Sequence, residues 1–144
     1  MDSTLLASQL LFTGALAGLC WTVQLAVYAL FAPLIRNLGA DAFRAHHATY
    51  MGAMGWVAAP LMLIELTLAI AWVWIASDSI PAQIGLGLAT AIWLLTFTAI
   101  VPAHTRLQRS PAESDARRLT RLNWLRTALW TARAALLAFA AIPV

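Results

Sequence analysis

The chain has 144 residues, of which 62% are hydrophobic and only 10% charged, and its mean hydropathy is +0.78. Soluble domains run at about 45–50% apolar and about 25% charged, so this composition excludes an ordinary water-soluble fold, and the length suits a single domain. All nine basic residues are arginine, which excludes lysine Schiff-base chemistry, and a pI near 10.0 without a basic tail points to a membrane-topology signal rather than to nucleic acid.

Four apolar segments appear in order, at about 4–34, 51–76, 82–102 and 119–141, each near the roughly 20 residues that cross hydrocarbon. The expected fold is all-α, an integral membrane four-helix up-down bundle forming one domain over residues 1–144. The connections RNLGADAFRAHH and PAHTRLQRSPAESDARRLTR hold seven arginines, whereas the ASDSIPA turn and both chain ends hold none. That asymmetry puts the arginine-rich loops in the cytoplasm and both termini on the non-cytoplasmic side. A bacterial inner membrane is the expected setting.

In the first segment, Gly14 and Gly18 form a small-residue pair suited to close helix packing. Trp21, Gln24 and Tyr28 share a side about one turn further on, with Gln24 deep enough to need a hydrogen-bonding partner. Cys20 is the single cysteine, so no intrachain disulfide forms, and it reads as small apolar filling. Asp41 is placed to cap a short helix that begins AFRAHHATY and leads into the second span.

The second span carries Met51, Met54, Ala58, Met62, Glu65 and Trp72 on one stripe. The methionines read as core packing rather than copper ligands. Glu65 is the one acidic residue inside an apolar segment and requires a partner. Pro81 is placed to start the third helix. On that helix Trp93, Thr96, Ile100 and His104 step along one face, with Pro102 expected to distort the last turn. Ser114 or Asp115 is positioned to cap the helix into the last span.

The fourth span places Asn123, Arg126, Trp130 and Arg133 on one stripe. A charge at mid-membrane costs roughly 2.5–3.5 kcal/mol on insertion scales, so both arginines need partners. Glu65 lies 14 residues beyond Met51 and Arg133 lies 14 beyond Leu119, about 20 Å in at 1.5 Å per residue. A structural Glu65–Arg133 ion pair is expected. Arg126 has no carboxylate at its level, which points to an anion from outside the chain.

His46, His47 and His104 converge with Asn123 and Arg126 at the cytoplasmic end. A histidine there can accept a proton from a weakly acidic substrate, with arginine stabilising the oxyanion. The alternative is a metal held by His46, His47 and His104. Glu65 cannot complete a set with His47 and His104, because 18 residues separate it from His47, about 27 Å along a helix. The residues call for no cofactor, and haem or a metal stays open as an alternative.

The stretches VQLAVYALFAPLI, FRAHHATY leading to APLMLIEL, VPAHTRL and RLNWLRTALWTARAALL together resemble a family of small four-span membrane proteins that includes the anthrone oxygenases of polyketide pathways. The resemblance implies oxygenation of a polycyclic phenolic carbanion by molecular oxygen, without an obvious organic cofactor. On that reading His47 or His104 abstracts the proton, and Arg126 with Asn123 holds the anionic oxygen. Gln24, Tyr28, Trp93, Trp124 and Trp130 then line a flat apolar pocket above Glu65 and Arg133. The expected partners are the bilayer and an apolar, partly anionic small molecule. Two rivals stand beside it. One is a non-catalytic accessory subunit of a larger membrane complex or homo-oligomer, suggested by the tryptophans and the Gly14/Gly18 face. The other is a proton-coupled transporter using Glu65, although an arginine partner opposes proton release there.

Overall fold

The computed structural model describes residues 3–142, which are helical apart from three short breaks. The first rod is α1 (Ser3–Thr22), a π-helical turn (Val23–Val27) and α2 (Tyr28–Leu38). The second is α3 (Ala40–Ile75), and the third is α4 (Ile80–Leu95), a π turn (Thr96–Ile100) and α5 (Val101–Arg109). The fourth is α6 (Glu113–Ala140).

Each break has a local cause. Gly39 reverses the chain alone at φ +82°, a conformation that only glycine adopts cheaply. The expected first loop is therefore almost entirely helix, and Asp41 pairs with Arg44 at 2.7 Å instead of capping. Ser79 caps α4 by accepting from the Ala82 N–H, with Pro81 in the first turn. Neither Ser114 nor Asp115 caps α6. Its cap position is Ala112, and Glu113 and Asp115 supply negative charge to the first turn. The π turn of the third rod ends just before Pro102, whose missing N–H interrupts the regular ladder.

Short connections make successive rods antiparallel. The first rod packs on the second and fourth, and the third on the second and fourth, leaving the first and third, and the second and fourth, as diagonals. The result is a square up-down bundle. Its outer face is strongly apolar, with Trp74 91% and Trp56 85% exposed, while Gln9, Glu65, Asn123 and Arg133 are fully enclosed. Three helices, Thr4–Leu38, Ala40–Ile75 and Ile80–Arg109, are long and apolar enough to cross a membrane. The fourth rod matches them in length, about 42 Å at 1.5 Å per residue, but its five arginines interrupt its apolar character.

The centre of the bundle is organised by Arg133. Its Nε donates to Glu65 across the second–fourth diagonal, Nη1 donates to the Gly85 carbonyl on the third rod, and Nη2 donates to Gln9 Oε1 on the first at 3.1 Å. Thr13 adds a hydrogen bond to Glu65 at 3.1 Å. Gly85 is required by the approach itself, since a Cβ there would lie 2.8 Å from Arg133 Nη1. Gly14 and Gly18 meet nothing within the chain and face outward.

At the opposite end, Arg36 donates twice to Glu113, at 3.2 and 2.8 Å, and Arg117 once at 2.9 Å. The hydrogen bond from Arg36, more than any other influence, holds the Glu113 carboxyl down at about 2. A lowered carboxyl stabilises the fold above the ordinary value of 4.5, and that contribution disappears as pH falls through about 2. Glu113→Gln should therefore lower the melting temperature at neutral pH, with the gap from wild type closing as the pH is lowered across that window. Removing one partner of the buried pair, in Arg133→Met, should destabilise the detergent-solubilised protein by about 3–5 kcal/mol. Gly85→Ala should cost about 1–3 kcal/mol by crowding the guanidinium, and thermal unfolding checks both.

Candidate functional site

A cavity of about 390 Å³ lies inside the bundle, between the Glu65–Arg133 centre and the arginine-rich end. Its walls are mostly apolar: Cys20 and Val23 from the first rod, Met51, Met54, Ala58 and Met62 from α3, and Trp93, Phe97 and Ile100 from the third rod. The methionine stripe thus lines the cavity, and as expected it also packs into the core, with Met62 in one buried cluster and Met54 against another. The small residues Gly55, Ala58 and Ala59 leave the space that larger side chains would occupy. Leu63, Phe97 and Val101 also line it and are 56%, 56% and 40% exposed, so the cavity opens sideways between the second and third rods onto the apolar surface.

Both π turns border this space. Val23 belongs to one, and Thr96, Phe97 and Ile100 to the other. The extra residue of a π turn shifts the helical register, a feature frequent at functional sites.

The polar lining is sparse: Tyr28, Tyr50, Thr96, His104 and Arg126, with the Trp93 indole. Thr96 spends its hydroxyl on the Ile92 carbonyl at 2.7 Å. Trp93 Nε1 and Arg126 Nε are buried without a partner. Arg126 is the fourth rod's sole contribution to the lining, and the atom its Nη2 meets is Met62 Sδ at 3.6 Å. Sulfur is a weak acceptor. Among the described residues Arg126 has no ion pair, and it is the only partly buried arginine in that position.

Tyr28 Oη sits 2.6 Å from His104 Nε2, and His104 Nδ1 sits 2.9 Å from His47 Nε2. His47 Nδ1 in turn lies 2.6 Å from Gln108 Oε1. The His47 ring stacks on Phe43 and meets the edge of Phe31. A second cavity of about 330 Å³, lined by His47, His104, Thr105, Gln108 and Arg109, lies on the other side of these histidines. Met51, Val101 and His104 line both spaces.

The structure brings His47, His104, Tyr28 and Arg126 to one end of the bundle with Trp93. It places other expected site residues elsewhere. Asn123 is fully buried and donates to Gln24 Oε1 at 2.8 Å, joining the first and fourth rods without lining the cavity. Trp124 is 44% exposed and packs edge-on against Trp21 on the outer face. Trp130 is enclosed in a core cluster with Leu16, Met62 and Ile92. His46 is exposed, one residue round the helix from His47. Among the described residues no three His, Cys, Asp or Glu side chains gather as a metal set.

Tyr50 and Gln108 belong to the site, and sequence reasoning passed over both. Their signal was helical spacing. Tyr50 follows His47 by three residues and Gln108 follows His104 by four, so each shares its histidine's face. The chain matches no family model, no curated protein and no solved structure.

An arginine held half-buried without a counter-ion destabilises the apo protein. Arg126→Met should therefore raise the melting temperature in detergent, equivalent to about 0.5–2 kcal/mol, and differential scanning calorimetry provides the check.

Proposed function

We propose that this chain is an integral membrane enzyme whose cavity binds an apolar polycyclic phenol from the bilayer and oxygenates it with molecular oxygen. The observation that carries the reading is Arg126, a cation without a counter-ion set into the wall of an otherwise apolar cavity. A volume of about 390 Å³ falls within the roughly 300–1,000 Å³ of small-molecule sites. Its sideways opening suits a ligand that partitions into hydrocarbon. The apolar exterior and the seven loop arginines support insertion with the histidine end in the cytoplasm, as expected of a bacterial inner-membrane protein.

The chemistry follows from the placement of groups. An anthrone-type substrate carries a methylene activated by an adjacent aromatic ketone. Its proton leaves by way of the Tyr28 hydroxyl, which is hydrogen-bonded to His104, and Arg126 stabilises the negative charge that moves onto the ketone oxygen. The carbanion adds oxygen to form a peroxide. That peroxide loses water to give the quinone, so one oxygen atom enters the product and the other leaves in water. The carbanion supplies the electrons, so the balance closes without an organic cofactor. Exclusion of bulk water by the methionine and tryptophan walls raises the value of the Arg126 charge.

The transporter alternative fits less well, because Glu65 is fully enclosed and engaged by Arg133 and Thr13. The accessory-subunit alternative is separated by assay. Purified protein supplied with an anthrone under air should consume oxygen and yield quinone in equal amounts. Arg126→Met and His104→Phe should each reduce the rate by at least about 10²-fold. Oxygen uptake equal to the protein-free control would remove the enzymatic reading, and uptake unaffected by both substitutions would remove this mechanism.

A further inference from the structure

We propose that Tyr28, His104 and His47 form a directional proton relay, which takes a proton from a ligand in the large cavity and places it on His47, in the wall of the second cavity at the arginine-rich end. The direction is set at Gln108. Gln108 Nε2 donates to the Arg44 backbone carbonyl at 3.2 Å, and Arg44 Nε donates to the Gln108 backbone carbonyl at 3.2 Å. The first of these bonds fixes the side-chain amide, because turning it over would set two oxygens against each other. Gln108 Oε1 therefore faces His47 Nδ1 at 2.6 Å and can only accept.

The remaining assignments follow without choice. A neutral His47 must carry its proton on Nδ1 and present a bare Nε2. His104 must then donate from Nδ1 across 2.9 Å, leaving its own Nε2 bare. Tyr28 must donate its hydroxyl to that nitrogen across 2.6 Å. Every hydrogen bond in the row points from the large cavity toward the second one. Free neutral histidine favours the other tautomer, with the proton on Nε2. Two adjacent Nδ1–H rings are thus a specific consequence of the Gln108 anchor.

The Tyr28 oxygen retains lone pairs on the cavity side. When a ligand O–H or C–H gives its proton to that oxygen, the Tyr28 proton passes to His104 Nε2. The His104 Nδ1 proton passes to His47 Nε2. One bond to hydrogen breaks and one forms at each station, no electrons are transferred, and His47 becomes the imidazolium. The Tyr28 hydroxyl now donates to the ligand anion beside Arg126. Charged groups bear on both ends: Arg126 lines the cavity that holds the anion, and Arg109 lines the second cavity with His47. Phe43 and Phe31 hold the His47 ring in line.

The relay requires an acidic ligand in the cavity but no reaction with oxygen, so it stands or falls separately from the oxygenase chemistry. The test is nitrogen NMR on protein with ¹⁵N-labelled histidine in detergent at neutral pH. His47 and His104 should both appear as Nδ1–H tautomers, and either ring as Nε2–H overturns the relay. Gln108→Met removes the anchoring acceptor and should change the tautomer balance of His104, whose ring is hydrogen-bonded to Tyr28 and His47 and not to the Gln108 side chain. An unchanged His104 would mean the rings are uncoupled. Adding 4-nitrophenol should produce a phenolate absorption band in excess of the same solution without protein, together with an imidazolium signal at His47, and His47→Phe should lose most of that excess. No excess, or an excess with His47 still neutral, overturns the proposal.

Discussion

The buried Glu65–Arg133 pair is the constraint on which the rest of the structure depends. Two charges in a low-dielectric interior are costly unless good geometry and further hydrogen bonds offset their desolvation. Here each rod contributes to that offset: Gln9 and Thr13 from the first, Glu65 from the second, Gly85 from the third and Arg133 from the fourth, with Glu65 Oε2 and Gln9 Nε2 left without a partner. The pair spans a diagonal of the square, so it helps set the spacing of two helices whose backbones do not pack directly against each other. A bundle whose exterior is greasier than its interior gains little specificity from apolar contacts alone, since the surrounding hydrocarbon competes equally for them. Polar contacts of this kind fix which faces turn inward and at what height.

With one end of the bundle fixed by that centre, the two arginines of α6 take on different roles. Arg133 is satisfied on every side. Arg126, two turns earlier on the same stripe, faces methionine sulfur and open space. The neighbouring side chains turn to one another: Asn123 Nδ2 donates to Gln24 and to the Thr127 hydroxyl. Asn123 Oδ1 has no partner, and among the described residues no carboxylate pairs with Arg126. Stability given up at a site in this way is characteristic of groups retained for binding.

Much of this was legible in the sequence, and the physical reasons for the rest are specific. Four rods, the turn before Ser79 and the depth match of Glu65 with Arg133 follow from hydropathy, turn chemistry and a rise of 1.5 Å per residue. The helix beginning AFRAHHATY and leading into the second span was also legible, but its start was not, because Gly39 alone provides the reversal and Asp41 does not cap. The π turns left no sequence signal beyond Pro102, and each rotates the face that follows it, as at Tyr28. Trp124 was expected in the pocket. One residue past Asn123 is a rotation of about 100°, enough to carry it to the outer face. Gln108 shares a helical face with His104, but its role is directional: its oxygen faces His47 Nδ1, and residue type and spacing do not reveal that.

The central claim is that Arg126 awaits an anionic, apolar ligand. Equilibrium binding of a hydroxylated anthrone to wild type and to Arg126→Met, in the same detergent, tests it most directly. The account expects the substitution to weaken binding by at least about tenfold, or 1.4 kcal/mol, even though the variant itself is the more stable protein. Equal affinity in the two proteins would contradict the claim.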